Sequence, residues 1–143
     1  MSALTRCLIL LVLMVPQTAR PNPASISETD AQSIRTIIEA QLAAFAADDA
    51  ATAFSFASEN IQKTFGTPEN FLAMVRASYP VVYRPASVDF LEPEAVDEAI
   101  IQAVEMADQN DRLWLALYRM QRQPDHSWRI DGCVLRNLPG SRS

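Results

Sequence analysis

Histidine, glycine and cysteine are scarce in this chain of 143 residues, which holds one His, three Gly and two Cys. The one histidine, His126, lies between Asp125 and Ser127 in a segment typical of an exposed turn, where a metal site or a hydrolytic dyad is not expected. The sequence also lacks a Cys/His cluster, a glycine-rich phosphate loop and a G-x-S-x-G elbow. The chain is therefore expected to use no metal and no cofactor, and to carry neither nucleotide nor serine-hydrolase chemistry.

Basic residues are also few, because the chain has 12 Lys and Arg against 17 Asp and Glu. Without Arg6 and Arg20, which belong to the N-terminal segment discussed next, ten cations face the same 17 acids and the net charge is −7. An acidic surface repels phosphate groups, so nucleic acid and anionic membranes are not expected partners.

Long apolar runs are confined to the N-terminus, where Arg6 precedes an unbroken run of nine apolar residues from Cys7 to Val15. This pattern is typical of a signal peptide, whereas a membrane-spanning helix needs roughly 20 apolar residues. We expect residues 1–24 to be a signal peptide that is cleaved between Ala19 and Ala24. The mature protein is then expected to be periplasmic or secreted, with no membrane association after cleavage.

The chain that remains after this leader is long enough for one domain with one core. We expect that domain to cover residues 25–137, with a disordered tail at residues 138–143. Cys7 leaves with the leader, so Cys133 has no partner for an intramolecular disulfide. Because Cys133 lies in an apolar C-terminal segment, we expect it to be buried and inert.

Helix signals fill the first half of the mature chain. Ser27 and Asp30 resemble a capping box and precede apolar residues at steps of three and four, namely Ile34, Ile37, Ile38, Leu42 and Phe45. Gln41 is interpreted, with Arg35 and Glu39, as part of the solvated face of this helix.

Further caps follow along the chain. Asp48 and Asp49 can cap a second helix, Ser58 a short third one that ends at Gly66, and Thr67 with Pro68 the next. Pro80 ends this last helix near Tyr79. The segment YPVVYRP at residues 79–85 is then expected to form a short or edge strand, because prolines bracket it.

The period of the apolar pattern changes to two from Ala86 onward. Four strands are expected, SVDFLEP, AIIQAVEMAD, RLWLALYRMQ and SWRIDGCVL, with turns between them. Helices first and a meander afterwards predict the α+β class with an antiparallel sheet. Because RLWLALYRMQ is apolar on both faces, one face must pack on the helices and the other on a partner subunit or a cavity.

The order of helices followed by a sheet is similar to the nuclear transport factor 2-like, or cystatin-like, cone fold. Four blocks in the expected order resemble the bacterial family called domain of unknown function 4864, namely AFAADDAATAFSFAS, FGTPENFLAMV, YPVVYRP and WRIDGCVL. The resemblance covers roughly Ser27 to Leu135 and implies three N-terminal helices packed on a curled antiparallel sheet, in an exported protein. It implies no activity, because cone-fold relatives include isomerases, dehydratases, epoxide hydrolases and binding or dimerisation modules.

Aromatic residues supply the candidate binding site. We expect the mouth of the cone to bind a small apolar or amphipathic ligand, or a protein partner, without catalysis; the expected binding residues are Tyr79, Tyr83, Arg84, Trp114 and Tyr118. An alternative is an isomerase- or dehydratase-type enzyme in which Asp131 is the base and Tyr118 or Tyr83 the donor. The structural interpretation of that pair is that Asp131 forms an ion pair with Arg119 or Arg129 while Tyr118 packs. A third alternative is a homodimeric module that buries the second sheet face.

Overall fold

The computed structural model describes residues 25–141, so the signal peptide expected at residues 1–24 lies outside the described residues. In this part of the chain five helices precede five strands. The helices are α1 Glu28–Ala46, α2 Ala50–Ser55, α3 Glu59–Phe65, α4 Pro68–Ser78 and α5 Pro80–Tyr83, and the strands are β1 Ser87–Phe90, β2 Glu94–Val96, β3 Ala99–Ala107, β4 Arg112–Arg122 and β5 Trp128–Ser141. The expected α+β class, with helices packed on a curled antiparallel sheet, is confirmed, although the helical part is divided into five segments rather than three.

Side-chain caps begin the first four helices, as their sequences predict. A side-chain oxygen accepts a hydrogen bond from the backbone N–H three residues later at Ser27 (3.0 Å), Asp49 (3.1 Å), Ser58 (3.3 Å) and Thr67 (3.2 Å). Each bond satisfies one of the N–H groups that a helix start leaves without a partner. The local sequence thus determines where these helices begin.

The segment at residues 79–85 corrects one prediction, because it forms the helical turn α5 and not a strand. Pro80 occupies the first helical position, where its fixed φ favours a turn and its missing N–H is not needed. Val82 and Tyr83 donate their backbone N–H groups to the Tyr79 carbonyl, and Arg84 donates to Pro80. Burial of Val81 and Val82 then anchors the turn against the core.

Two strand boundaries also differ from expectation. The segment expected to be a turn before Ala99 contains the three-residue strand β2, which pairs with β3. At the other end β5 continues to Ser141, so the disordered tail expected at residues 138–143 is wrong as far as Ser141. Trp114 pairs with Asn137, and after a shift in the register Arg112, the first residue of β4, pairs with Ser141.

The sheet is antiparallel, and its strands follow the order β1-β3-β4-β5, with β2 on the same side of β3 as β1. Tyr118 lies opposite Gln102 on β3 and opposite Cys133 on β5. One residue later the β4–β5 register shifts, because Arg119 pairs with Gly132 but Met120 pairs with Ile130. Asp131 is the extra residue of this β-bulge, which bends the strand and redirects its side chain.

The core lies between the helices and one face of the sheet. Side chains at alternate positions of β4 are buried against it, as are the apolar residues of α1; the most enclosed are Ile34, Ile38, Phe45, Ala116, Tyr118 and Met120. The helices are also joined to β5 through the main chain. Ser58 N–H donates to the Ile130 carbonyl and Ile130 N–H to the Phe56 carbonyl, both at 2.8 Å. Among residues 25–141, no helix combines the length and the apolar character that crossing a membrane requires.

Candidate ligand-binding cavity

A cavity of about 260 Å³, which we call the inner cavity, lies between helices α1, α3 and α4 and strands β4 and β5. Its lining is mostly aliphatic and aromatic, and Gln41, Tyr79, Tyr118, Asp131 and Cys133 are the residues with hydrogen-bonding side-chain groups. The other lining residues are Phe45, Ala57, Ile61, Phe65, Phe71, Met74, Val75, Val82, Ile130 and Gly132. An apolar wall with a few polar groups is the usual composition of a small-molecule site.

Three phenylalanines form one side of the inner cavity. The ring of Phe71 lies 5.9 Å from that of Phe45 and 5.7 Å from that of Phe65, with tilted planes in both pairs. These separations lie in the range of favourable aromatic contacts. The wall therefore presents aromatic rings to any molecule that enters.

The Tyr118 hydroxyl is the most unusual polar group of the inner cavity. The residue is only 1% exposed, and Tyr118 Oη is the one buried side-chain N or O atom within residues 25–141 that has no hydrogen-bond partner. Burial, and to a lesser degree the Cys133 thiol, raises the pKa of the Tyr118 phenol well above its ordinary value. The phenol is therefore a neutral donor, and leaving it without a partner costs free energy.

Cys133 lies beside Tyr118 on the next strand. Burial raises the pKa of its thiol to about 12. Because the thiolate is the nucleophilic form, a thiol with this pKa is unreactive at physiological pH. Cys133 is only partly buried, so the expected burial is incomplete, while the raised pKa agrees with the expectation that the thiol is inert.

The bulge residue Asp131 lines the inner cavity with its carboxylate already engaged. Asp131 Oδ1 accepts a hydrogen bond of 2.6 Å from Ser58 Oγ, and Oδ2 lies 3.5 Å from Arg119 Nε. The ion pair with Arg119 is the one that the structural interpretation of Asp131 anticipates. Tyr118 and Asp131 thus line one cavity, as the enzyme alternative requires, but no hydrogen bond joins them.

Gln41 and Tyr79 complete the polar groups of the inner cavity. Tyr79 Oη donates to the Cys133 carbonyl at 3.3 Å. Gln41 is 3% exposed and donates Nε2 to the Ala53 carbonyl at 3.1 Å, so its assignment to the solvated face of α1 is wrong. Its spacing indicates burial, because Gln41 lies three residues after Ile38 and four residues before Phe45. Those steps place all three side chains on one face of the helix.

The other predicted binding residues line a different, second cavity of about 410 Å³. Tyr83, Arg84 and Trp114 lie there with polar loop residues, and none of them lines the inner cavity. The structure therefore divides the predicted set, with Tyr79 and Tyr118 in the inner cavity and these three outside it. Strand β5 and helix α5 contribute residues to both cavities.

Asp48 is a residue whose role the sequence does not indicate. Only Asp49 caps α2, while the Asp48 carboxylate accepts hydrogen bonds from Tyr83 Oη, from Arg76 at 3.0 Å and from Arg84 at 3.3 Å. The hydrogen bond from Tyr83 and the two guanidinium groups outweigh partial desolvation and lower the pKa of Asp48. Asp48 thus connects the end of α1 to α4 and α5 at the surface.

Asp108 organises the turn beside the second cavity and predicts a pH dependence. Partial burial alone would raise its pKa. This effect is outweighed by hydrogen bonds from Trp114 Nε1 and from the backbone N–H groups of Arg112 and Asn110, and by the positive charge of Arg112. The pKa of Asp108 falls from an ordinary 3.8 to about 2. A carboxyl group whose pKa is lower in the folded state stabilises the fold at pH values above its pKa in the unfolded chain. This stabilisation is lost as the pH falls toward the pKa of the folded state.

As the pH falls from about 4 to about 2, the free energy of unfolding is therefore expected to decrease, and protonation of Asp108 is expected to account for part of that decrease. Urea titrations at half-unit pH steps should show a shallower slope for Asp108→Asn than for the wild type across this window. Equal slopes would contradict the assignment.

Within the described part of the chain, His, Cys, Asp and Glu side chains form no group of three or more that could hold a metal ion. The polar side-chain groups of the inner cavity are two phenols, one amide, one thiol and one carboxylate that is already engaged. Such a set can orient a small molecule through hydrogen bonds.

Comparisons with known proteins give a family and no activity. The chain is similar to the crystal structure of an NTF-2 like protein of unknown function from Burkholderia xenovorans LB400, with 16% identity over 78% of this chain and 88% of that chain and a TM-score of 0.47. None of the curated proteins matches it. The family model described as domain of unknown function (DUF4864) matches residues 27–142. The chain therefore belongs to the DUF4864 family.

Proposed function

We propose that this protein is an exported binding domain that holds a small, mostly apolar, neutral molecule in the inner cavity, with a hydrogen-bond acceptor of that molecule on Tyr118. The observation that carries the proposal is the buried Tyr118 hydroxyl, which has no hydrogen-bond partner and belongs to a residue that lines an apolar cavity. Export rests on the apolar run from Cys7 to Val15 that follows Arg6.

The volume of the inner cavity bounds the ligand. An engineered apolar cavity of about 150 Å³ binds benzene, and sites for drug-sized molecules have volumes of about 300 to 1,000 Å³. At about 260 Å³, the inner cavity suits a molecule of one or two rings. The aromatic wall around Phe71 favours a flat ring over a flexible chain.

The polar groups of the cavity favour a neutral ligand with one acceptor. The raised pKa values of Tyr118 and Cys133 reflect an environment that destabilises charge. Asp131 is the one charged residue of the lining, and Ser58 and Arg119 already engage it. A carbonyl, ether or hydroxyl oxygen that accepts from Tyr118 is therefore the chemistry that best complements this surface.

Binding without catalysis is favoured over the isomerase or dehydratase alternative. A base at Asp131 must reach a substrate proton with a carboxylate oxygen, and both oxygens already have partners in Ser58 and Arg119. Burial also raises the pKa of Tyr118, so its phenol gives up a proton less readily than an exposed one. The same two residues serve a binding role without change.

The experiment compares 1-tetralone with tetralin, two bicyclic probes that differ by one carbonyl oxygen. The protein is purified after secretion from its host, and its intact mass tests cleavage between Ala19 and Ala24. Isothermal titration calorimetry is expected to give 1-tetralone an affinity about tenfold higher than tetralin, because a hydrogen bond to a buried donor contributes about 1 kcal/mol or more.

Three outcomes would each contradict part of the proposal. Failure of both probes to bind at millimolar concentration would mean that the inner cavity does not take up apolar rings. Equal affinities would mean that rings enter but the Tyr118 hydroxyl makes no bond to them. An uncleaved N-terminus on the secreted protein would contradict export through this leader.

A further inference from the structure

The second cavity, whose volume is about 410 Å³, shares no lining residue with the inner cavity. Its lining comes from helix α5 with the residue after it, from residues 108–110 of the turn between β3 and β4, and from the start of β4. Ser78 of α4 and Leu135 of β5 complete it. The volume lies within the range of about 300 to 1,000 Å³ that is usual for small-molecule sites.

Positive charge exceeds negative charge in this lining, because its charged residues are Arg84, Arg112 and Asp108. The Asp108 carboxylate is already engaged on both oxygens. Oδ1 accepts hydrogen bonds from the backbone N–H groups of Asn110 and Arg112 at 2.8 and 3.1 Å, and Oδ2 accepts from Arg112 Nε and Trp114 Nε1 at 3.0 and 3.1 Å. The lining therefore favours an anion, in a chain whose net charge is −5.

Both arginines keep donors that no residue in the described range 25–141 uses. The Arg112 guanidinium donates only through Nε, to Asp108. The Arg84 guanidinium donates only through Nη2, to Asp48 Oδ2 at 3.3 Å and to Tyr83 Oη at 3.0 Å. Asp48 is also paired with Arg76, so one carboxylate there faces two guanidinium groups. A guanidinium carries five N–H donors, so Arg84 and Arg112 can both donate further hydrogen bonds to a ligand.

Contacts within the fold hold these groups around the second cavity. Gln109 Nε2 donates to the Arg84 carbonyl at 3.0 Å and so joins the turn after β3 to the end of α5. The guanidinium carbon of Arg84 lies 4.7 Å from the centre of the Tyr83 ring, which is a cation–π distance. Asp108 in turn accepts hydrogen bonds from both Arg112 and Trp114. These groups are in place before a ligand arrives, which lowers the entropy cost of binding.

From this arrangement we propose that the second cavity binds a small aromatic carboxylate. The carboxylate group of that molecule accepts hydrogen bonds from Arg84 and Arg112, because planar guanidinium groups match the geometry of a carboxylate. Its ring packs against Trp114, Val81 and Leu135, which line the same cavity, since an indole offers a flat apolar surface. The second cavity thus takes an anion, whereas the inner cavity favours a neutral molecule.

The experiment compares 2-naphthoate with 2-naphthamide, which share one ring system and differ in the charge of a single group. Isothermal titration calorimetry on the secreted protein is expected to give 2-naphthoate an affinity at least about tenfold higher, because hydrogen bonds to a charged group are stronger than those to a neutral one. The place of binding is read from the indole N–H signals of the two tryptophans in ¹⁵N-labelled protein. The Trp114 signal, assigned with Trp114→Phe, should shift on addition of 2-naphthoate, and the Trp128 signal should not.

Arg84→Gln and Arg112→Gln each remove one charged donor, and each is expected to lower the affinity for 2-naphthoate at least about tenfold. Arg35→Gln is the matched control. Arg35 Nε pairs with the Glu39 carboxylate at 2.7 Å, as Arg112 Nε pairs with Asp108, but Arg35 lies on α1 and does not line the second cavity. This variant should keep the affinity of the wild type. Circular dichroism confirms that each variant is folded.

Three results with the wild type would each overturn the proposal. They are failure of 2-naphthoate to bind at millimolar concentration, equal affinities for 2-naphthoate and 2-naphthamide, and binding of 2-naphthoate that leaves the Trp114 signal in place. Retention of full affinity in both Arg84→Gln and Arg112→Gln would equally overturn it, because the carboxylate would then have a different partner.

Discussion

Replacement of Tyr118 by phenylalanine is expected to stabilise the ligand-free protein and to weaken ligand binding. The hydroxyl is buried without a partner, so its removal relieves a desolvation cost, and the free energy of unfolding should rise by about 1 kcal/mol. The same change removes the only unpaired donor of the described cavity lining. The affinity for 1-tetralone should therefore fall about tenfold, whereas the affinity for tetralin should not change.

Urea unfolding of Tyr118→Phe measures the first effect and calorimetry the second. Tyr79→Phe is the matched control, because Tyr79 lines the same cavity but its hydroxyl donates to the Cys133 carbonyl. That variant should lose about 1 kcal/mol of stability, since it leaves a carbonyl without its partner. A rise in the free energy of unfolding for Tyr118→Phe and a fall for Tyr79→Phe would distinguish a hydroxyl that serves binding from one that serves folding. A loss of stability in Tyr118→Phe would contradict this account.

Replacement of Ser58 by alanine is expected to be strongly destabilising, by about 3 kcal/mol. Ser58 is fully buried, and its Oγ caps α3 and donates to Asp131. Loss of an N-cap costs about 1 kcal/mol, and loss of a hydrogen bond to a charged group costs about 1.5 to 3 kcal/mol. The two losses coincide at one residue.

Thr67→Ala provides the matched comparison for Ser58→Ala. Thr67 caps α4 through the same kind of bond, at the exposed surface and with no second partner for its hydroxyl among the described hydrogen bonds. Its loss should cost only about 1 kcal/mol. Chemical denaturation of both variants measures the difference. Equal losses would mean that the Ser58 bond to Asp131 contributes nothing to stability.

The helix starts could be predicted from sequence because capping is a local interaction. A hydroxyl or carboxylate three residues before a free N–H, as at Ser27 or Thr67, is enough to define a helix start. Alternation of period two likewise predicted β3, β4 and β5, because the two faces of a strand alternate at every residue. The class of the fold follows from the order of these local signals.

The candidate site depends on contacts between distant segments, so the sequence predicted only part of it. Tyr118 and Asp131 line one cavity, as the sequence predicts for the enzyme alternative. The bulge that turns Asp131 toward Ser58 has one local signal in WRIDGCVL, the glycine at position 132, but a glycine alone does not specify which residue bulges. Asp48 looked like a cap, and its partners Arg76 and Arg84 lie some thirty residues away in sequence. The polarity of Gln41 indicates the solvated face of α1, whereas its spacing from Ile38 and Phe45 indicates the buried face, and the spacing is correct.

The junction between residues 56–58 and Ile130 determines which positions of the inner cavity can be substituted in evolution without loss of the fold. The two hydrogen bonds of the junction join main-chain atoms, so they persist whatever apolar side chains occupy Ala57 and Ile130. Both residues also line the inner cavity. Substitutions that enlarge or narrow the cavity there leave the joint between helices and sheet intact, so new ligand preferences can arise at these positions without loss of the fold.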